Sequence, residues 1–347
     1  MTTRRTIVGL IGGAAAAAMI GLGATAALAQ EVTLRLHHFL PAQSNVPRLV
    51  LDVWADKVEK DSGGRIKIER FASMSLGGTP PELIDQAIDG VADIVWTLPG
   101  YTPGRFPSTE VFELPFFVSD ARAASSAYWQ LFEKHMKDGE FADLKILATW
   151  VHGPGMFHTN KPVTKPGDLQ GMKIRGGSRL VNQLLDLVGA TPVGMPVPAV
   201  SEALSKGVID GTTIPWEVTS ALKVPELVTN HTEFEGPALY TLTFVLAMNK
   251  AKYDSLPDDL KAVIDQNSGL EFSIFAGGTQ ADADGPARQV AVDRGNNIVT
   301  VHQADTQEWK DLVQPIYESW VANVKGANVD GQALIGNARA LMDAYGK

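Results

Sequence analysis

An arginine that ends an apolar strand carries the clearest chemistry in this chain. In Gly171-Met-Lys-Ile-Arg175, Met172 and Ile174 fit the buried face of a short strand. Gly176 and Gly177 interrupt it, and Ser178 is placed to cap a helix carrying Leu180, Leu184, Leu185 and Leu187. In an open α/β sheet, ligands bind outside the carboxyl ends of the strands. Arg175 therefore stands where its planar fork of donors can take a carboxylate through two parallel hydrogen bonds. An ordinary surface ion pair is the competing reading of such a residue.

Other candidates gather at similar places. Trp96-Thr-Leu-Pro-Gly-Tyr101 opens a Pro/Gly-rich turn after an apolar strand, where Tyr101 offers a ring and a hydroxyl to a ligand, or packs beneath the prolines. Phe39 follows the first strand. Trp150-Val-His152-Gly-Pro-Gly155 reads as a hinge or pocket segment, with His152 either donating to a carboxylate or satisfied by backbone. Trp216 and Glu217 follow another strand and face either a ligand or, for Trp216, a packing interface. Catalytic signatures are missing: there is no GxSxG, no HExxH and no P-loop. His37 and His38 alternate to opposite faces of a strand, so no metal or cofactor is expected. A paired-carboxylate hydrolase stays open on spacing alone.

The elements that position these residues alternate. Val32, Leu34 and Leu36 mark a strand, Pro47 starts a helix with Val50, Trp54 and Val58 on one stripe, and Gly63-Gly64 stops it. Arg65 to Phe71 is a second strand, a helix begins at Pro80 or Pro81, and Val91 to Trp96 reads as a strand buried on both faces. This βαβ rhythm implies a mainly parallel sheet. Pro81…Gly90-Val-Ala-Asp93 and Pro198…Gly207-Val-Ile-Asp210 repeat one helix–glycine–strand unit, as two similar lobes facing a cleft would. Helical patterns dominate from Asp258 onward, with Trp309, Tyr317 and Trp320 expected to pack.

Composition sets the compartment and the partners. Arg4 and Arg5 precede an uncharged run from Ile7 to Leu28, and Ala27-Leu28-Ala29 is a small-residue cleavage site. Residues 1–29 are thus expected to be a removed export signal, with the mature protein starting near Gln30 in the periplasm. Thr3-Arg4-Arg5-Thr6-Ile7 fits a twin-arginine signal as well as a general one. The net charge is −9, and loss of two signal-peptide arginines makes it more negative, which argues against nucleic acid as a partner. Cysteine is absent, so disulfides and thiol chemistry are excluded.

Gly171-Met-Lys-Ile-Arg175, Leu187-Val-Gly-Ala-Thr-Pro192 and Glu202-Ala-Leu-Ser-Lys-Gly-Val-Ile-Asp-Gly211 together resemble the signature of solute-binding proteins of tripartite ATP-independent periplasmic (TRAP) transporters, the DctP-type family. Arg65-Ile-Lys-Ile-Glu69, Leu76-Gly77 and Asp89-Gly-Val-Ala-Asp93 extend the likeness toward the amino end. The resemblance implies an α/β, two-lobed periplasmic binding protein fold of type II character, with mixed, mainly parallel sheets, a long connecting helix and a ligand cleft between the lobes. It places one lobe at 30–151, completed near 242–280, and the other at 152–241, completed by C-terminal helices near 281–347. It implies that Arg175 binds the carboxylate of a small organic acid, with Trp216, Tyr101, His152, Phe39 and Glu217 around it. Two TRAP membrane subunits would be the partners. Where the sialic-acid branch of the family carries a second arginine, this chain reads His152-Gly-Pro-Gly-Met-Phe-His158 before Thr159-Asn-Lys-Pro162. A second buried carboxylate would lack a partner there. A monocarboxylate follows, such as a 2-oxo or 2-hydroxy acid with an apolar or aromatic body. The alternatives are a binding protein of an ABC importer or chemoreceptor, or a periplasmic enzyme.

Overall fold

A computed structural model describes residues 30–347; the expected export signal lies outside the described residues. The first sheet has five strands in the order β2-β1-β3-β10-β4, namely β1 (Val32–His38), β2 (Ile66–Phe71), β3 (Ile94–Thr97), β10 (Thr243–Asn249) and β4 (Leu144–Val151). The second has six, in the order β11-β9-β5-β8-β6-β7: β5 (Met156–Thr159), β6 (Lys173–Gly176), β7 (Thr191–Gly194), β8 (Gly211–Ile214), β9 (Asn230–Phe234) and β11 (Asn297–Val301). Both sheets are mixed. β10 and β5 run antiparallel to their neighbours, whereas β1, β2 and β3, like β6, β7 and β8, are parallel.

Leaving out the extra edge strand β11, the two sheets have one topology. Read from the edge, β2-β1-β3-β10-β4 matches β7-β6-β8-β5-β9, and the repeated helix–glycine–strand unit supplies the third strand of each. β3 starts later than the apolar run suggests. The Asp93 carboxylate takes the Arg35 N–H at 2.8 Å, occupying a ladder position, and Val91 is left exposed in the turn behind Gly90. A second difference is β11, an alternating edge strand within the helical tail that adds in parallel to β9.

The chain crosses between sheets at 152–155, returns at 235–242, and crosses again along the helix Leu270–Asp282. That helix continues past the single residue Ala283 as Asp284–Asp293. The first half packs on the helix Ala121–Leu131 and on β4, the second on the short helix Trp216–Thr219. The tail is shared between the lobes. Gln307–Lys325 lies along Arg179–Leu187 of the second lobe, yet Gly331–Ala344 packs on Ala121–Leu131 of the first. A tail confined to the second lobe does not describe this packing. Trp309, Val313, Ile316, Trp320 and Val324 form the buried stripe of Gln307–Lys325, and Trp320 Nε1 donates to Pro107 O at 3.1 Å. Among the described residues no helix is long and apolar enough to cross a membrane.

Candidate functional site

β6 delivers Arg175 to the cleft, paired with Thr212 of β8 on one side and Val193 of β7 on the other. The side chain is 1% exposed. Nε donates to Met195 O at 2.9 Å and Nη1 to Thr213 O at 3.2 Å, while Thr213 Oγ1 donates to Arg175 O at 3.1 Å. Nη2 has no partner. Among the described residues no carboxylate pairs with this guanidinium, so the surface ion pair is not what forms. Gly177 leaves room for this placement: a Cβ there would lie 2.8 Å from Leu242 Cδ1 and 3.1 and 3.2 Å from Arg175 Nη1 and Nη2. An always-charged group, buried and with a free donor, is incomplete without an incoming anion.

Arg175 borders a narrow cavity lined on the opposite side by rings of the first lobe. Phe39 stacks on Trp96 with centroids 4.5 Å apart, Phe244 follows at 5.5 Å, and Trp150 lies parallel to Trp96 at 6.4 Å. Tyr101 meets Phe39 edge-on and its hydroxyl accepts from Val197 N at 3.0 Å, leaving its own proton to donate. Tyr240, from the return crossing, places a buried hydroxyl without a partner at the same cavity. Gly155 makes room for it, since a Cβ there would sit 2.3 Å from the Tyr240 ring.

His152 lines the cavity but is already engaged. Its Nδ1–H donates to Gly153 O, and Nε2 accepts from Leu242 N at 3.0 Å, so the ring ties one crossing to the other. Burial and then the Arg175 charge push it down to about 4, leaving it neutral, with no donor left for a carboxylate. Of the two readings of His152, the backbone-satisfied one is found.

Glu217 and Trp216 part company. Glu217 faces the cavity. Its Oε1 accepts from Gln280 Nε2 at 2.7 Å, and Gln280 Oε1 accepts from Trp150 Nε1 at 2.8 Å, a polar chain linking both lobes through the connecting helix. Burial pushes the Glu217 carboxyl up to about 7. Trp216 does not line the cavity. Its ring packs on His158 and His231 and its Nε1 donates to Glu233 Oε1 at 2.7 Å, because the helix opening at Trp216 turns consecutive residues to different sides. Phe157 likewise packs away from the cleft, on Phe234 and Trp309.

The lobes are drawn together over this cavity. Glu110 of the first takes the Arg179 fork of the second, with Nε to Oε1 at 3.1 Å, and Asn45 Nδ2 donates to Glu217 O at 2.8 Å. The structure thus brings Arg175, Tyr101, His152, Phe39 and Glu217 to one cavity and leaves Trp216 behind it. Sequence reasoning missed Tyr240 and Gln280. Gly155 beside a crossing was the one signal for Tyr240, and the Gln280 position carries none.

Known proteins resemble this chain in sequence and fold. The family model for bacterial extracellular solute-binding proteins, family 7 (DctP), matches residues 36–323. A TRAP solute-binding protein from Rhodoferax ferrireducens T118, solved with copurified benzoate, is 49% identical over 90% of this chain and 97% of its own, with a TM-score of 0.88. A marine metagenome TRAP solute-binding protein specific for aromatic acids, solved with 3-hydroxybenzoate, is 43% identical over 92% of this chain and 100% of its own, with a TM-score of 0.89. A third, from Bordetella bronchiseptica with bound mandelate, is 29% identical over 90% of this chain and 98% of its own, with a TM-score of 0.83.

Proposed function

The chain belongs to the bacterial extracellular solute-binding proteins of family 7, the solute-binding proteins of TRAP transporters, and on that premise we propose that it captures an aromatic monocarboxylate. One observation carries this reading: a buried guanidinium with an unpartnered Nη2 faces a cavity walled by stacked rings. The ligand carboxylate takes Nη2 of Arg175 with the Tyr240 and Tyr101 hydroxyls as further donors. Its ring lies against Phe39, Trp96 and Phe244. Binding shifts an open–closed equilibrium by the difference in affinity between the two forms. In the closed form the ion pair, removed from water, gains strength. The benzoate, 3-hydroxybenzoate and mandelate held by the related proteins support a ring on the acid, and sharpen the 2-oxo or 2-hydroxy expectation toward aromatic acids.

Family membership favours delivery to TRAP membrane subunits over an ABC importer or a chemoreceptor, and binding over turnover. Export with cleavage after Ala29 completes the proposal; intact mass of periplasmic protein beginning at Gln30 checks it, and retention of the apolar run contradicts it. The ligand class is tested by thermal shift and calorimetry with benzoate, mandelate, pyruvate and succinate. A ligand at a hundred times its dissociation constant adds about 2.7 kcal/mol, so benzoate and mandelate should raise the melting temperature most. A response to succinate alone would overturn the reading.

A further inference from the structure

Glu217 is a carboxyl group only 3% exposed, in a cavity expected to receive an anion, and simple charge complementarity would exclude it. Its orientation is fixed from behind. Trp150 Nε1 can only donate, so Gln280 must turn Oε1 toward it and Nε2 toward Glu217; flipping the amide would oppose two donors at one end and two acceptors at the other. Glu217 Oε1 is thereby engaged, while the Asn45 amide, which stands beside the carboxyl, donates to the backbone Glu217 O, so among the described residues no hydrogen bond is made to Oε2. The backbone on either side is held as well, by Asp284 Oδ1 on Glu217 N at 2.7 Å and by Asn45 Nδ2 on Glu217 O. A hydrogen-bond acceptor is held from several directions with one lone position open at the ligand cavity.

We propose that Glu217 reads a hydrogen-bond donor on the ligand's ring, so that the site selects hydroxylated aromatic acids over unsubstituted ones. This rests on the aromatic-monocarboxylate reading above. The carboxylate anchors at Arg175 and the aromatic wall orients the ring plane. Above about pH 7, where the Glu217 carboxyl is ionised, the ring hydroxyl donates to Oε2, which an unsubstituted ring would leave desolvated and unpaired. Trp150 and Gln280 act as positioning residues, since they fix the acceptor without needing to touch the hydroxyl.

Calorimetry at about pH 8 to 9, where Glu217 is ionised, with benzoate, 3-hydroxybenzoate, 4-hydroxybenzoate and 3-methoxybenzoate tests this on the wild type, Glu217→Gln and Arg175→Lys. In the wild type at least one hydroxybenzoate should bind roughly ten- to a hundredfold tighter than benzoate, and 3-methoxybenzoate, which offers no donor, should gain nothing. In Glu217→Gln the new amide oxygen accepts from Gln280 and its N–H₂ group turns to the cavity, so the hydroxy-over-benzoate ratio should collapse and the methoxy compound should improve relative to the hydroxy one. Benzoate binding that depends on Arg175, with hydroxy-over-benzoate ratios near one in the wild type or unchanged in Glu217→Gln, would overturn the Glu217 assignment alone. Binding of none of these acids, or binding indifferent to Arg175→Lys, would overturn the aromatic-acid reading and this inference with it.

Discussion

β1 and β6 hold the same place in their two sheets, yet β1 leads to the Phe39 ring and β6 ends at the Arg175 guanidinium. The first lobe's wall is built of rings that also form its core: Trp96 packs between Phe39 and Phe244 and is fully buried. The second lobe's wall is built of buried polar groups, Arg175 and Glu217, whose partners are backbone carbonyls and an amide. One topology has therefore been used once for shape and once for charge. On the proposed reading, the ring of an aromatic acid meets one wall and its carboxylate the other, so binding is expected to require closure.

If the ring wall is core, trimming it must cost fold stability before it costs affinity. Trp96→Ala should lower the free energy of unfolding by about 3–5 kcal/mol, read by urea denaturation without ligand. Little change would show that the wall is not part of the core. The charged wall should respond in the opposite sense. Arg175→Ala should weaken benzoate binding roughly thirty- to several-thousandfold, with Arg175→Lys recovering only part, because a point charge lacks the fork. Equal affinities in calorimetry would move the carboxylate elsewhere. The contact between the walls comes next. Glu110→Gln removes one charge from the bridge to Arg179, whose side chain is 31% exposed and so partly screened. Affinity should fall only about two- to tenfold, and small-angle scattering should show a larger ligand-free radius; an unchanged radius would mean the bridge does not bias closure.

The smallest effect is on pH dependence. Burial pushes Glu217 up to about 7 and Asp284 up to about 8, and pushes His152 down to about 4. The folded protein keeps carboxyl protons that the unfolded chain has released, so stability falls as pH rises toward 8. It also refuses the imidazolium proton that the unfolded chain takes up below about 6.5, so stability falls again on acidification. Between those limits, from pH 6.5 to 8, the ligand-free melting temperature should decline, and Glu217→Gln should flatten part of the slope. A rise across that window would contradict the buried-carboxyl account.

The sequence made the strand-end arginine, the helix of Val50, Trp54 and Val58, and the twin helix–glycine–strand units legible, because each is a local pattern of burial or turn geometry. Side-chain direction at an element's start was not. Trp216 and Glu217 are neighbours, and only the docking of their helix on Asp284–Asp293 decides which one sees the cavity. Tyr240 and Gln280 were invisible for a related reason: each reaches the site from a crossing segment whose path depends on both lobes. β11 escaped notice because its short alternation lies in a helical stretch, and its pairing with β9 is a long-range choice.

Arg175 is 1% exposed even though its free nitrogen faces the cavity. On the proposed reading, a guest paired with that nitrogen must lose a contact that water barely reaches while the lobes stay shut, so its release is expected to depend on how often the molecule opens. Affinity and release rate are then separate quantities, adjustable by different residues. Weakening the Glu110–Arg179 bridge would hasten escape with every contact to the ligand left in place. A membrane partner that pries the same bridge apart could empty the site without competing for the acid at all.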